Sequence, residues 1–304
     1  MFFRLIILIL FIIPGVTAFG NVTNSSDNLS ALLVEKNKEL ILTAFENGIQ
    51  MFGEDDIRLH QDQLYKDLAT GLAHRGDYSA AADLLLLIPD EERSYDSTLL
   101  LAFVYTRMNK YDQALKTVTA LRAKYPDDTD LDNAAAYILS ISGDPHNARR
   151  LMEKLGSQID ENGPFLDTWG TILAAEGEIT KAEKALKSAY LLLPQDAEVL
   201  SHLADVYAQQ GRLADAQDLY QRAVRSDPAY GSAAKKYALV LKDLGRYPEA
   251  VHVIRKTIRL MPGDPDLIAW EQEVDAILLA WYKTQEEEAK KPLLTKRVAR
   301  GNHS

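Results

Sequence analysis

Residues 197–230 read AEVLSHLADVYAQQGRLADAQDLYQRAVRSDPAY. Leu200, Leu203 and Tyr207 recur at helical spacing before Gly211; Leu213, Ala216, Tyr220 and Ala223 recur after it, and Pro228 closes the stretch. The pattern predicts two short helices joined at a glycine, since glycine enters the left-handed conformation that stops a helix sharply and proline cannot continue one. Such a hairpin cannot bury both its faces alone and needs neighbours.

The neighbours are present. Gly76, Asn109, Gly143, Gly177, Gly211 and Gly245 lie 33 residues and then 34 residues apart, the period of a helix-turn-helix unit. Asn109 fits the column because asparagine tolerates the left-handed region best after glycine. Seven residues before these turns stand Ala69, Ala102, Ala136, Gly170, Ala204 and Ala238, and five after them Ala81, Ala114, Ala148, Ala182, Ala216 and Ala250. Only small residues fill both columns, which predicts that they mark the point where the two helices of each hairpin cross closely. Bulkier columns flank them, Leu72, Tyr105, Leu139, Leu173, Tyr207 and Leu241 before the turn and Leu85, Val118, Met152, Leu186, Tyr220 and Ile254 after it. Pro126, Pro194, Pro228 and Pro262 end second helices. Asp160 takes that place in the third unit, which also holds Pro145 and Gly156, so a local distortion is expected there. The first unit is short in its second helix, which ends at Pro89.

These columns resemble the tetratricopeptide repeat family. Six units are assigned, residues 62–94, 95–128, 129–162, 163–196, 197–230 and 231–264. The resemblance implies an all-α fold, a right-handed superhelical α-solenoid whose first helices line a concave groove. Residues 19–61 are read as a linker and capping helix. Asp264-Pro265 opens a last helix, 265–285, with Leu267, Trp270, Val274, Ile277, Leu278 and Trp281 at helical spacing, expected to cap the far end. Residues 286–304 form a charged tail.

By the same analogy, repeat positions two, five, nine, twelve and thirteen face the groove. The candidate partner-binding residues are Leu99, Phe103, Asn133, Tyr137, Asp167, Thr171, Ser201 and Asp205. Phe103 and Tyr137 share position nine of neighbouring units, and either grip an extended or helical segment or tighten the superhelix. Some family members clamp a terminal carboxylate with Lys at position five and Asn at position nine of adjacent units. Position five here reads Lys66, Leu99, Asn133, Asp167, Ser201 and Lys235; position nine reads Thr70, Phe103, Tyr137, Thr171, Asp205 and Leu239, so that clamp is not expected.

Composition narrows the function. The 304 residues carry 44 acidic against 34 Lys and Arg side chains, a net charge of −10, which argues against nucleic acid as partner. There is no cysteine for disulfides, thiolate metal sites or nucleophiles. The six histidines form no metal-ligand pair and most are read as surface or groove residues, and neither a Gly-x-Ser-x-Gly elbow nor a phosphate-binding Gly-x4-Gly-Lys loop occurs. Acid pairs such as Asp55-Asp56, Glu91-Glu92 and Asp127-Asp128 read as loop or helix-start carboxylates. No catalytic, cofactor or metal residue is assigned, and the chain is expected not to be an enzyme.

Arg4, the apolar run Leu5 to Ile13, and Val16-Thr17-Ala18 have the form of a secretory signal, with cleavage expected after Ala18; the stretch falls short of the ~20 residues that span a bilayer. The mature chain is therefore expected in the periplasm or secreted. Asn21, Asn24, Asn28 and Asn302 begin Asn-x-Ser/Thr triplets attributed to chance. From Lys283 onward six basic residues face Glu286, Glu287 and Glu288, a contrast with the acidic body that is read as solvated. The combined expectation is a non-catalytic scaffold binding a protein or peptide segment of an envelope complex, for its assembly or export. An adaptor in polysaccharide secretion or outer-membrane machinery, or a regulatory subunit holding an envelope hydrolase or protease, are the alternatives.

Overall fold

The computed structural model describes residues 54–287, except 229, 262, 263, 265, 266, 268, 272 and 274. The expected signal sequence, the four Asn-x-Ser/Thr triplets and most of the tail lie outside these residues. No described residue is in a strand, and no described helix is long and apolar enough to cross a membrane. The chain divides into two compact bodies, each described by itself.

The first body holds α1 (Glu54–His74), α2 (Tyr78–Leu86) and α3 (Tyr95–Arg107). Helix α1 begins eight residues before the expected start of the first repeat and runs through that boundary without a break. Helix α2 is short, as the early Pro89 requires. Arg93 knits the loop that follows, donating from Nε to the Leu85 carbonyl at 3.1 Å and from Nη2 to the Ile88 carbonyl at 2.6 Å. Ser94 caps α3 by accepting from the Ser97 N–H, and its own N–H donates to Asp62 at 3.0 Å.

The second body begins at the second hairpin's turn with α4 (Tyr111–Lys124). It continues with α5 (Thr129–Ile141), α6 (Pro145–Glu153), a single turn α7 (Gln158–Glu161), α8 (Gly163–Ala175) and α9 (Ile179–Leu192). Then come α10 (Ala197–Gln209), α11 (Leu213–Ser226), α12 (Gly231–Asp243) and α13 (Tyr247–Leu260). Helices pack as consecutive antiparallel hairpins α5/α6, α8/α9, α10/α11 and α12/α13, each first helix also touching the preceding second helix. This is an all-α solenoid.

The small-residue columns are its seams. Ala69, Ala81, Ala114, Ala136, Ala148, Ala182, Ala204, Ala216 and Ala238 are wholly buried, and Ala102 and Ala250 nearly so. Gly170 shows why size matters, since a Cβ there would stand 2.5 Å from Leu186 Cγ. Every residue of the turn column has positive φ, from 57° at Asn109 to 94° at Gly143. Behind four of these turns the chain closes a six-residue hydrogen-bonded ring, with Asp144, Glu178, Arg212 and Arg246 N–H groups donating to the Leu139, Leu173, Tyr207 and Leu241 carbonyls at 2.8–2.9 Å. First helices start on side-chain caps instead: Asp128, Asn162 and Asp196 accept N–H groups at the starts of α5, α8 and α10.

The third unit is distorted as its composition predicts. Helix α6 has 9 residues where α4, α9, α11 and α13 have 14. It stops before Gly156, which has φ of 56°, and Leu155, Ile159 and Phe165 fill the gap beneath.

A polar tie recurs between units at repeat position 21. Arg149 pairs with Glu176 and Glu178 in the next turn; Glu183 accepts from Gln210 at 2.8 Å and Arg212 at 3.2 Å; Gln217 accepts from Arg246 at 2.6 Å. Where position 21 is an arginine its partners are carboxylates, and where it is Glu or Gln an arginine of the next turn donates to it. At the C-terminal end Asp264 accepts the Leu267 N–H at 3.1 Å, the role its place before Pro265 predicted, and Leu267 is buried. Arg255 bonds Asp275 at 2.7 Å, and the Trp281 ring lies 6.3 Å from that of Tyr247.

Candidate binding face

Helices α5, α8, α10 and α12 are the first helices of consecutive units, and they touch in the pairs α5/α8, α8/α10 and α10/α12. A row of polar side chains crosses all four. His202 on α10 donates from Nδ1 to both Asp167 carboxylate oxygens on α8, at 2.8 and 3.0 Å. The Tyr137 ring on α5 stands 6.0 Å from the His202 ring, tilted at 45°. One turn along α10, Asp205 accepts from Lys236 on α12 at 2.6 Å and from the Tyr220 hydroxyl on α11.

The electrostatics follow from burial and pairing. Burial opposes a charge on the His202 ring, but the Asp167 carboxylate beside it, by charge and by hydrogen bond, outweighs burial and holds the ring's proton more tightly than usual. Burial and the Asp205 charge together push the Tyr220 hydroxyl upward, so it stays protonated and donates. Asp167 is 6% exposed and His202 7%, so this pair holds α8 against α10 more than it offers contacts to a ligand.

That geometry corrects part of the sequence reading. Asp167 and Ser201 were expected on an open groove; both are buried, Asp167 because it neutralises His202, and Ser201 because it lies wholly inside α10's packing. Ser201 Oγ and Asn133 Oδ1 are buried atoms without a hydrogen-bond partner among the described residues. Asp205 is half-buried and committed to Lys236 and Tyr220. Tyr137, Asn133 and Thr171 are half-buried, and Thr171 Oγ1 donates to the Thr168 carbonyl at 2.8 Å. Leu99 and Phe103 lie one turn apart on α3, in the first body; Leu99 is half-buried and Phe103 is 46% exposed.

His202 was read as a surface or groove residue and is a buried one. The signal lay in the columns: repeat position six in the fifth unit falls beside position five of the fourth, where Asp167 stands. Lys236, at position six of the last unit, instead meets position nine of the fifth, where Asp205 stands. Among the described residues no group of three or more His, Asp or Glu side chains is arranged to hold a metal ion.

Comparison with known proteins agrees with this architecture. Tetratricopeptide-repeat profiles match residues 96–128 and 173–240. The chain carries tetratricopeptide repeats. A solved tetratricopeptide repeat protein from Parabacteroides merdae covers 80% of this chain and 97% of its own, with a TM-score of 0.56 at 12% identity. The APC/C hetero-tetramer Cut9–Hcn1 aligns over 77% of this chain and 45% of that one, with a TM-score of 0.50 at 16% identity. At these identities the likeness is one of fold. Among curated proteins, the CTR9 homolog of Arabidopsis thaliana is 25% identical over 238 residues, 71% of this chain and 20% of that protein. A probable UDP-N-acetylglucosamine–peptide N-acetylglucosaminyltransferase SPINDLY from Hordeum vulgare is 34% identical over 76 residues, 25% of this chain and 8% of that protein. The chain thus spans a fifth or less of the length of these two relatives. Such repeats imply a protein-interaction scaffold.

Proposed function

We propose that the chain is exported and serves in the cell envelope as a non-catalytic scaffold for assembly or export of an envelope component. It holds a segment of a protein partner along the face made by α5, α8, α10 and α12. The observation that carries this reading is the polar row from Tyr137 through His202 and Asp167 to Asp205 and Lys236, which crosses four consecutive first helices. Its buried pairs fix the spacing of the helices. Tyr137, which is half-buried in the row, and Thr171, half-buried one turn along α8 from Asp167, present an aromatic ring and a hydroxyl oxygen at that spacing, enough to fix the register of an extended or helical segment. The signal-like N-terminus supports export.

The test is affinity capture from envelope extract on the immobilised mature protein, with captured proteins identified by mass spectrometry. A partner retained by wild type and lost from a Tyr137→Ala/Thr171→Ala variant is the expected result. Retention of the same set by the variant overturns the assignment of this face. N-terminal sequencing of the protein from its native host should begin at Phe19; a chain that keeps Met1 contradicts export by cleavage.

A further inference from the structure

The second helices of neighbouring units meet along seams, and an arginine laid on a tyrosine ties one of them. Between the fourth and fifth units, Arg222 on α11 closes it, donating to the Tyr190 hydroxyl at 3.0 Å and to the Pro194 carbonyl at 3.2 Å with its guanidinium 5.1 Å over the Tyr190 ring. Arg222 stands at repeat position 26 and Tyr190 at position 28 of the preceding unit. In the seam between the second and third units, those two positions hold Lys154 and Arg122. A cation faces a cation where a cation would otherwise rest on an aromatic ring, so the tie is absent. Helix α6 also stops five residues short of its counterparts, at Glu153.

A cleft of about 340 Å³ lies here, between α4 and α6. Leu115, Leu139 and Leu151 give it apolar lining; Arg122, Arg150 and Lys154 give it three positive charges, and no carboxylate lines it. Arg122 is satisfied by Asp132. Arg150 and Lys154 are exposed and have no carboxylate partner among the described residues, on a chain whose net charge is −10.

We propose that this cleft is a second docking site, for a short acidic segment of a partner protein. An apolar side chain of the segment rests on the three leucines while its carboxylates pair with Arg150 and Lys154. Charge complementarity selects the occupant: free cations concentrated beside an apolar floor favour acidic and apolar side chains together and reject basic ones. The cleft shares helix α5 with the face on α5, α8, α10 and α12, through Leu139, but uses none of that face's named residues, so it is tested separately.

The experiment is fluorescence-anisotropy titration of the full chain with a labelled peptide of alternating glutamate and leucine pairs. A polyglutamate peptide and a lysine-leucine peptide of the same length serve as controls. The glutamate-leucine peptide should bind best, and an Arg150→Glu/Lys154→Glu variant should weaken it by about tenfold or more, in proportion to two lost exposed ion pairs. Raising the salt should weaken it too, while Tyr137→Ala should leave it unchanged. Both replaced side chains are exposed, and circular dichroism checks that the variant keeps its helices. Unchanged affinity in the double variant, equal binding of the lysine-leucine peptide, or polyglutamate binding as tightly as the glutamate-leucine peptide overturns the proposal. So does self-association of the chain that the double variant abolishes with no peptide bound, which would give the cleft to a second copy.

Discussion

Replacing Gly170 by alanine adds one methyl group where α8 crosses α9. The new Cβ would sit 2.5 Å from Leu186 Cγ and 2.8 Å from its Cδ2, against the ~3.5–4.0 Å at which carbon atoms rest. Leu186 must withdraw by about 1 Å, and it is fully buried, with its branch carbon rather than a mobile tip in the way. Overpacking of this kind costs ~1–3 kcal/mol. Alanine's better helix propensity returns up to about 1 kcal/mol. The net expectation is a loss of about 1–2 kcal/mol, a fall of roughly 2–8 °C in the thermal midpoint followed by far-UV circular dichroism. Gly71 on α1 is the control, because a Cβ there meets nothing within 4 Å. Gly71→Ala should raise the stability of its own body by up to about 1 kcal/mol. If Gly170→Ala is neutral or stabilising, like Gly71→Ala, the close crossing at this column is refuted.

Three further predictions concern charge and backbone. Because Asp167 holds the His202 proton more tightly in the folded chain, their pairing contributes in full below the unfolded histidine value of about 6.5 and is lost as pH rises through the raised folded value. Urea midpoints measured across that window should fall with rising pH in wild type, and this component should vanish in His202→Gln. Glu183 behaves oppositely: hydrogen bonds from Lys187, Gln210 and Arg212 hold its carboxyl down at about 2, so its contribution is complete above about pH 4.5 and lost as pH falls toward 2. Glu183→Gln should flatten the acid limb of the stability curve. Asn109 has φ of 57°, so Asn109→Gly should be neutral or slightly stabilising, while Asn109→Val should cost about 1–2 kcal/mol in chemical denaturation.

The period, the turns and the hairpin crossings were legible because each depends on one residue type at one repeat position. A left-handed turn accepts Gly or Asn, and a close crossing accepts Ala or Gly, so Gly143, Gly177, Ala148 and Ala182 announce themselves singly. The distortion of the third unit was legible for the same reason, from Pro145, Gly156 and Asp160. The binding face was legible only as a set of positions. What each side chain does there depends on partners about one repeat away, 35 residues for Asp167 and His202 and 31 for Asp205 and Lys236. A groove-facing position assigned by analogy does not distinguish a side chain left open from one engaged by a neighbour, as Asp167 and Asp205 are, or buried by packing, as Ser201 is. Reading pairs of columns, position five against position six of the next unit, would have found the buried His202. The untied seam at Lys154 and Arg122 needed the structure of a tied one, Arg222 on Tyr190, before its columns meant anything.

Small residues at fixed repeat positions let the two helices of a hairpin cross closely, and the whole architecture rests on those crossings. Thermal midpoints of Ala114→Leu, Ala148→Leu, Ala182→Leu and Ala216→Leu, set against Ala120→Leu and Ala214→Leu on the exposed faces of α4 and α11, test it most directly. All four buried replacements should lower the midpoint by several degrees, from an overpacking cost of about 1–3 kcal/mol or more. The two exposed ones should stay within about 0.5 kcal/mol of wild type. Buried-column variants that melt with the exposed pair would contradict the architecture.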